Sequence, residues 1–335
     1  MIPYCLICKR EGELIFTGLS DWAFGSKGEW SILKCKNSDC RLQWLSPQPV
    51  IEDIADAYKE YYTHDTRVAD ITLISRAYEW VLEGFLKLNN RVQNNANLFQ
   101  VIIGALLYLF PSRISSISYS TAGLTVVPGG KLLEVGCGSG DVLLFLKSMG
   151  WDTIGVEVDS KASQIARDKG LNILDGKISD QQFSDSFFDA IVINHVLEHL
   201  HKPIAILDEF SRLLKPGGRL VIVTPNTNSL FYKLFSNSWM PLDPPRHLYL
   251  FSLQNLITLV LDSGLKVEST RTSFRDSNNV FIRSLSVSRT GSYSMDTNDT
   301  LLIKIVGFAF LILEWFILIF NKNVGEEIIV TAIKN

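Results

Sequence analysis

Apolar residues recur through the middle of this chain as short, nearly unbroken runs. Residues 132–135, 153–157, 187–194 and 219–224 are four of them. Runs apolar at almost every position, rather than at every second one, predict strands covered on both faces, as in a parallel sheet. Two further strands are expected over 265–274 and 326–333. The first run ends in Gly136-Cys137-Gly138-Ser139-Gly140, and an amphipathic segment follows at once, so a strand, a loop with almost no side chains and a helix are expected in that order. Two longer apolar blocks interrupt the pattern. Residues 97–110 stop at Pro111, short of the about 20 residues a bilayer span needs, and predict a buried or interfacial helix. Residues 301–320 have the length.

The glycine loop carries the first chemistry. Gly136, Gly138 and Gly140 can adopt backbone angles closed to other residues and admit a ligand to the main chain. At the carboxyl end of the first parallel strand, such a loop is where nucleotide-like ligands bind. A dinucleotide fingerprint needs a third glycine three residues after the second. That position is Asp141 or Leu143, depending on register, so a nicotinamide or flavin dinucleotide is disfavoured. The next strand ends in Glu157, placed about 20 residues on to accept ribose hydroxyls, with Asp159 as a fallback.

Four stretches in order carry a family resemblance. Glu134-x-Gly136-x-Gly138-x-Gly140 resembles the first motif of class I S-adenosylmethionine-dependent methyltransferases. The acid at Glu157, the run Phe187–Asn194 leading into His195-Val196-Leu197-Glu198-His199, and Leu213-Leu214-Lys215-Pro216-Gly217-Gly218 with the strand after it resemble the later motifs. The resemblance covers about residues 130–270. It implies an α/β, Rossmann-like seven-stranded sheet of order 3-2-1-4-5-7-6 with strand 7 antiparallel. It further implies that Glu134, Gly136, Cys137, Gly138, Gly140, Glu157, Val158, Asp175, Asn194 and His195 line a site for S-adenosylmethionine. One departure stands out: the acid that often follows the third strand and meets the adenine is here Asp175-Gly176-Lys177-Ile178, so Asp175 is either displaced or serves instead. His195, just past the fourth strand, is the first candidate base, and His247, in Pro244-Pro245-Arg246-His247-Leu248, the second. Some ubiquinone-pathway relatives carry an acidic Glu-x-x-Glu-His with a divalent ion; here His195 replaces the first acid, and no catalytic metal is expected.

The amino terminus differs. Four of the five cysteines are spaced Cys5-x2-Cys8 and Cys35-x4-Cys40, two knuckles that predict a closed tetrahedral zinc site. So short a segment cannot bury a core of its own, and a structural metal would supply the stability. With Pro47-Gln48-Pro49 and the helix-like 51–62, it resembles an arrangement found in bacterial surface-polysaccharide and sugar-pathway methyltransferases. The expected organisation is therefore a cysteine module over 1–48, a helical linker over 49–127, the cofactor-binding core over 128–274, an insertion over 275–324 and the final strand over 325–335.

The resemblance changes the reading of 301–320. Each Leu, Ile or Phe gains about 0.3–0.6 kcal/mol on insertion and a central charge costs about 2.5–3.5 kcal/mol, so the segment tolerates Glu314. Yet one crossing between the sixth and seventh strands would leave the last strand on the far side of the membrane. An interfacial helix, a re-entrant hairpin or a cap on an apolar substrate is expected, with a wholly buried helix as the alternative. The net charge of −3 shows no basic stripe, so nucleic acid is not an expected partner. No secretory signal opens the chain, and a cytoplasmic protein, peripheral on the inner membrane face, is expected. The expected activity is methylation of a glycan, sugar or lipid-linked intermediate. A quinone-like or other lipid ring is the alternative acceptor, and a non-catalytic cofactor-binding component of a polysaccharide complex the alternative class.

Overall fold

The structure, a computed structural model, describes residues 3–50, 73–92, 95–293 and 301–335. The helix expected over 51–62 lies outside the described residues. Three strands open the chain: β1 (Gly12–Leu19), β2 (Trp30–Cys35) and β3 (Gln43–Ser46). Among the described residues three helices follow: α1 (Leu73–Leu88), α2 (Leu98–Ala105) and α3 (Pro111–Ser120). Then come β4 (Lys131–Val135), α4 (Asp141–Met149), β5 (Asp152–Glu157), α5 (Ser160–Asp168), β6 (Ile173–Asp175) and β7 (Phe188–Asn194). The second half holds α6 (Pro203–Leu213), β8 (Leu214–Pro225), α7 (Leu230–Phe235), β9 (Tyr249–Leu250), α8 (Leu253–Asp262) and β10 (Lys266–Ser273). It closes with α9 (Ser277–Thr290), α10 (Leu301–Phe320) and β11 (Glu327–Ile333).

The large sheet has seven strands in the order β10-β11-β8-β7-β4-β5-β6, the expected order read from its other edge. β4 and β5 pair in parallel, as do β5 and β6, whereas β11 runs antiparallel to β10. The continuous apolar runs fill its middle. Leu132, Leu133, Phe188, Ala190, Ile191, Val192 and Ile193 are fully buried, and burying such side chains stabilises the fold by about 1.5–3 kcal/mol each for the larger ones. The helices start where the local chemistry lets them. Asp159 accepts from the Lys161 and Ala162 amides at the start of α5, and Ser252 and Asn255 form a reciprocal capping box on α8.

By contacts the chain forms two compact units, one comprising the amino-terminal module with Ile193–Arg212 and Leu220–Asn335, the other the segment up to Val192 with Leu213–Arg219. In the first unit, β1, β2 and β3 do not stand alone. They continue into β9 as a four-stranded antiparallel sheet, with Gln43 opposite Leu250 and Trp44 opposite Tyr249. The cysteine module thus shares a sheet with residues two hundred positions downstream, which its spacing alone does not suggest. In the second unit, α2 crosses α1 closely, because a Cβ at Gly84 would meet the Gln100 carbonyl and one at Gly104 the Phe85 amide. The apolar block 97–110 is α2 and a short 3-10 turn, and Leu98, Phe99, Ile102, Leu109 and Phe110 stay exposed.

Among the described residues no single helix is long and apolar enough to cross a membrane. The 301–320 block is one helix, α10, packed on α9. It is not wholly buried: Ile305, Phe308, Phe316 and Phe320 are more than half exposed.

Candidate functional site

The glycine loop sits between β4 and α4. Gly136, Gly138 and Gly140 all have positive φ, at 70°, 52° and 80°. Gly140 is constrained from behind, since a Cβ there would crowd Leu171 and Ala166, whereas a Cβ at Gly138 would meet nothing within 4 Å. The loop therefore presents open main chain on one side and is packed tightly on the other. Glu157, at the tip of β5, is buried and closes it: one carboxylate oxygen accepts the Gly138 amide at 2.8 Å, and the other accepts the amides of Val158 and Asp159 at 2.8 and 2.9 Å. With three amides accepted, about one of its roughly four acceptor sites stays open for a ribose hydroxyl, on the oxygen that faces the loop.

The neighbours fit a cofactor that carries positive charge. Glu134 is buried near the end of β4, two residues before Gly136. Cys137 is buried, and burial followed by the charges of Glu134 and Glu157 pushes its thiol well above the usual range. Its sulfur lies against Gly155 of β5. Val158 is exposed beyond the strand end. Asp175 is opposite Glu157 in the β5–β6 register, but its carboxylate is held by Arg167 at 2.6 Å, which keeps it below the usual carboxylate range. Asn194, the last residue of β7, is buried.

A second constellation lies in the other unit and surrounds His195. This residue has φ +53°, a left-handed conformation that costs a non-glycine residue about 1–3 kcal/mol and is found most often at functional sites. Its ring is clamped between two buried carboxylates, Nδ1 at 3.3 Å from Glu198 and Nε2 at 3.1 Å from Glu327. Burial opposes the charge, but the bonds and charges of Glu198 and Glu327 outweigh it and raise the imidazole to about 10. Both acids are driven the other way. Burial works against their ionisation, yet His195 for Glu198, and Arg275 with His195 for Glu327, hold each near about 2. Arg275 reaches Glu327 at 2.8 Å.

His247 and His199 complete the group. The Nδ1 of His247 lies 2.7 Å from the Pro241 carbonyl and that of His199 lies 3.1 Å from the Arg246 carbonyl. A carbonyl only accepts, so Nδ1 donates in both rings. The Nε2 of His247 lies 4.0 Å from both Glu198 and Asp243. Burial, and then His247, lower His199 to about 4. One ligand atom each from Glu198, His199 and His247 falls within 4.8 Å of the others, close enough to hold a divalent ion. Beneath them Arg246, fully buried, forks onto Asp21 at 2.8 Å and Asp243 at 2.6 Å.

The four amino-terminal cysteines converge. Cys5 and Cys40 sulfurs are 3.6 Å apart, Cys8 and Cys35 are 3.3 Å apart, and all four lie within 4.8 Å. A tetrahedral ion with bonds of about 2.3 Å sets its sulfurs about 3.8 Å apart, and a disulfide needs about 2.05 Å. The chain turns alike at both knuckles: the residue after each second cysteine, Lys9 and Arg41, has positive φ.

Sequence reasoning names His195 but not what surrounds it. Glu327 lies 132 residues away and arrives only by the return of β11. Glu198 is visible in the motif, yet nothing local marks it as an ion-pair partner rather than a helix-start residue.

Open main chain over a packed glycine loop, with an acid at the tip of the next strand of a seven-stranded α/β sheet, defines a class I S-adenosylmethionine-dependent methyltransferase. A methyltransferase-domain family model matches residues 96–270, slightly more than half of the chain, and the chain belongs to that family. It is similar to an uncharacterized protein of Methanocaldococcus jannaschii, 28% identical over 45% of this chain and 72% of the relative. It is also similar to the ubiquinone biosynthesis O-methyltransferases of Methylococcus capsulatus, 31% identical over 33% of this chain and 49% of the relative, and of Pasteurella multocida, 32% identical over 35% and 54%. The chain thus spans about half the length of those two curated relatives. Among solved structures it is similar to a possible histamine N-methyltransferase of Thermotoga maritima, 19% identical, TM-score 0.45, over 75% of this chain and 100% of the other.

Proposed function

We propose that this protein transfers the methyl group of S-adenosylmethionine to a hydroxyl, or a carbon, of a glycan, sugar or lipid-linked intermediate at the cytoplasmic membrane face. The observation that carries the reading is the loop at Gly138, open on one side, with the Glu157 carboxylate bonded across it. The cofactor supplies a methyl already activated by a sulfonium charge, so the protein has to align the acceptor and, for a hydroxyl, take its proton.

The two candidate histidines divide that work. At neutral pH a ring raised to about 10 keeps its proton, and both its N–H groups are taken by Glu198 and Glu327, so His195 serves as a fixed positive charge and not as the base. His247 is held through Nδ1 by the Pro241 carbonyl, with Nε2 turned toward Glu198 and Asp243, and is the remaining candidate base. We assign zinc to Cys5, Cys8, Cys35 and Cys40 as a structural ion. The spacing of the sulfurs and the paired turns at Lys9 and Arg41 support it.

A second acceptor class, a quinone-like or other lipid ring, is favoured by the exposed apolar face of α10 and by the ubiquinone-pathway relatives. Methyl-labelled cofactor, incubated with the protein and extracts of the producing cell, separates these readings. Label in the lipid-extractable pool means a membrane-borne acceptor, and label in the aqueous pool a free sugar or metabolite. Tight cofactor binding with no label in either pool would overturn methyl transfer and leave a non-catalytic binding component.

A further inference from the structure

We propose that α10 is a lipid-docking helix that lies in the plane of an anionic bilayer surface, its outer face sunk to the level of the acyl chains. This deepens the membrane part of the proposed function and is independent of its chemistry.

The helix is two-sided to an unusual degree. From residue 305 to its end, every exposed position is apolar. At about 100° per residue these positions fall in one continuous arc of roughly 160°. Ile305, Phe308, Ile312, Phe316, Ile319 and Phe320 form its ridge. Trp315, partly exposed, marks one edge, where an indole suits the headgroup boundary. No charged or polar side chain interrupts the arc.

The opposite side pins the helix. Glu314 is fully buried and sits about 180° from the centre of the arc. A Cβ at Gly307 would collide with the Asn278 side chain of α9, so the two helices touch closely there. Phe310 stacks on Phe281 with ring centres 4.3 Å apart. Rotating α10 to hide its apolar side would bring Glu314 to the surface and undo these contacts. The apolar arc is therefore held outward. The helix also cannot thread the bilayer, because β10 and β11, on either side of it in sequence, pair with each other.

Charge selects the partner. α9 packs against both α7 and α10. The charged residues of α7 and α9 are Lys233, Arg283 and Arg289, all cationic, and the one acid of α10 is buried. On a chain with a net charge of −3, these helices show a locally positive surface beside an apolar one, the combination that binds anionic lipid. A second copy of the chain fits less well. Sixteen residues of helix make a face of roughly 24 by 11 Å. Even doubled for surface relief, that is well short of the about 800 Å² each partner buries in a stable dimer.

The test is co-sedimentation of the full chain with vesicles of phosphatidylglycerol and phosphatidylethanolamine, against vesicles of phosphatidylcholine alone. The wild type is expected to sediment with the anionic vesicles and only weakly with the neutral ones. Ile312→Gln with Phe316→Gln should lower partitioning at least about tenfold, while cofactor affinity and melting temperature stay unchanged. Arg289→Glu should weaken it several-fold at low salt and less at high salt. Equal sedimentation with both vesicle types, or of the glutamine variant and the wild type, would overturn the proposal. So would a wild-type dimer in solution that the glutamine variant dissolves, which would make the face an interface between copies. A protein that binds vesicles but no cofactor would sink the methyltransferase reading and leave this one standing; the reverse result would do the opposite.

Discussion

Gly138 combines two properties: a φ of +52° and empty space where a Cβ would point. They separate the effects of two substitutions. Gly138→Ala pays mainly the left-handed backbone, about 1–2 kcal/mol of stability, and should leave cofactor affinity within a few-fold. Gly138→Arg adds a side chain to the open side and should lower affinity by about a hundredfold or more with the protein still folded. Calorimetric titration with S-adenosylmethionine checks both, and unchanged affinity in the arginine variant would remove the loop from the site. His195→Ala should spare cofactor affinity and reduce turnover, because it removes the ring held between Glu198 and Glu327 and leaves the Gly138–Glu157 contact untouched. The loop is legible in sequence because three alternating positions that need positive φ leave glycine as the natural choice. The setting of His195 is not. A histidine after a strand reads as a base, and only the buried acids on both sides of the ring show that it holds its proton at neutral pH.

The cysteine module shows the same limit at the scale of elements. Spacing shows the knuckles, but the pairing of β3 with β9 is a tertiary fact, since β9 is only two residues long and carries no strand signal of its own. Further ties reinforce it: Asn255 of α8 donates to the Cys40 carbonyl, and Tyr232 of α7 bonds Gln43 of β3 at 2.8 Å. Loss of the proposed zinc should therefore be felt beyond residue 48. Cys8→Ser is expected to release bound zinc, lower the melting temperature and raise amide exchange at Tyr249–Leu250 several-fold. Hydrogen exchange with mass detection, before and after chelation, reads this directly; loosening confined to the first 48 residues would mean that β9 is held without the module. The Arg246 fork is the other fastener. Its guanidinium holds Asp21 well below the usual carboxylate range despite burial. Arg246→Leu leaves two buried acids, Asp21 and Asp243, without their cation, and should cost about 3–5 kcal/mol, visible in denaturant unfolding.

Buried ionisable groups in this molecule pull its stability in opposite directions with pH, and the sum gives a whole-molecule prediction. His195 has its folded value raised from 6.5 to about 10, so its contribution is complete below pH 6.5 and fades as pH rises through 10. Glu198 and Glu327 are depressed from 4.5 to about 2, so theirs is complete above 4.5 and is lost as pH falls through 2. His199, kept neutral down to about 4, costs stability as pH drops below 6.5. Glu314 and Glu326 act on the alkaline side. Burial, chiefly, raises both above the usual glutamate range, helped by the charge of Glu326 for Glu314 and of Glu327 for Glu326. The unfolded chain ionises them from about 4.5 upward while the folded chain resists, so they erode stability as pH rises. Melting temperature should therefore peak between about pH 5 and 6.5 and decline steadily toward pH 9. Glu314→Gln removes one term of that decline. It should match the wild type near pH 5 and exceed it by roughly 2–4 °C near pH 8.5. A scan of melting temperature against pH on both proteins decides it: a flat wild-type profile from pH 6 to 9 would mean that Glu314 finds water in solution and that α10 is less firmly seated on α9 than its packing requires.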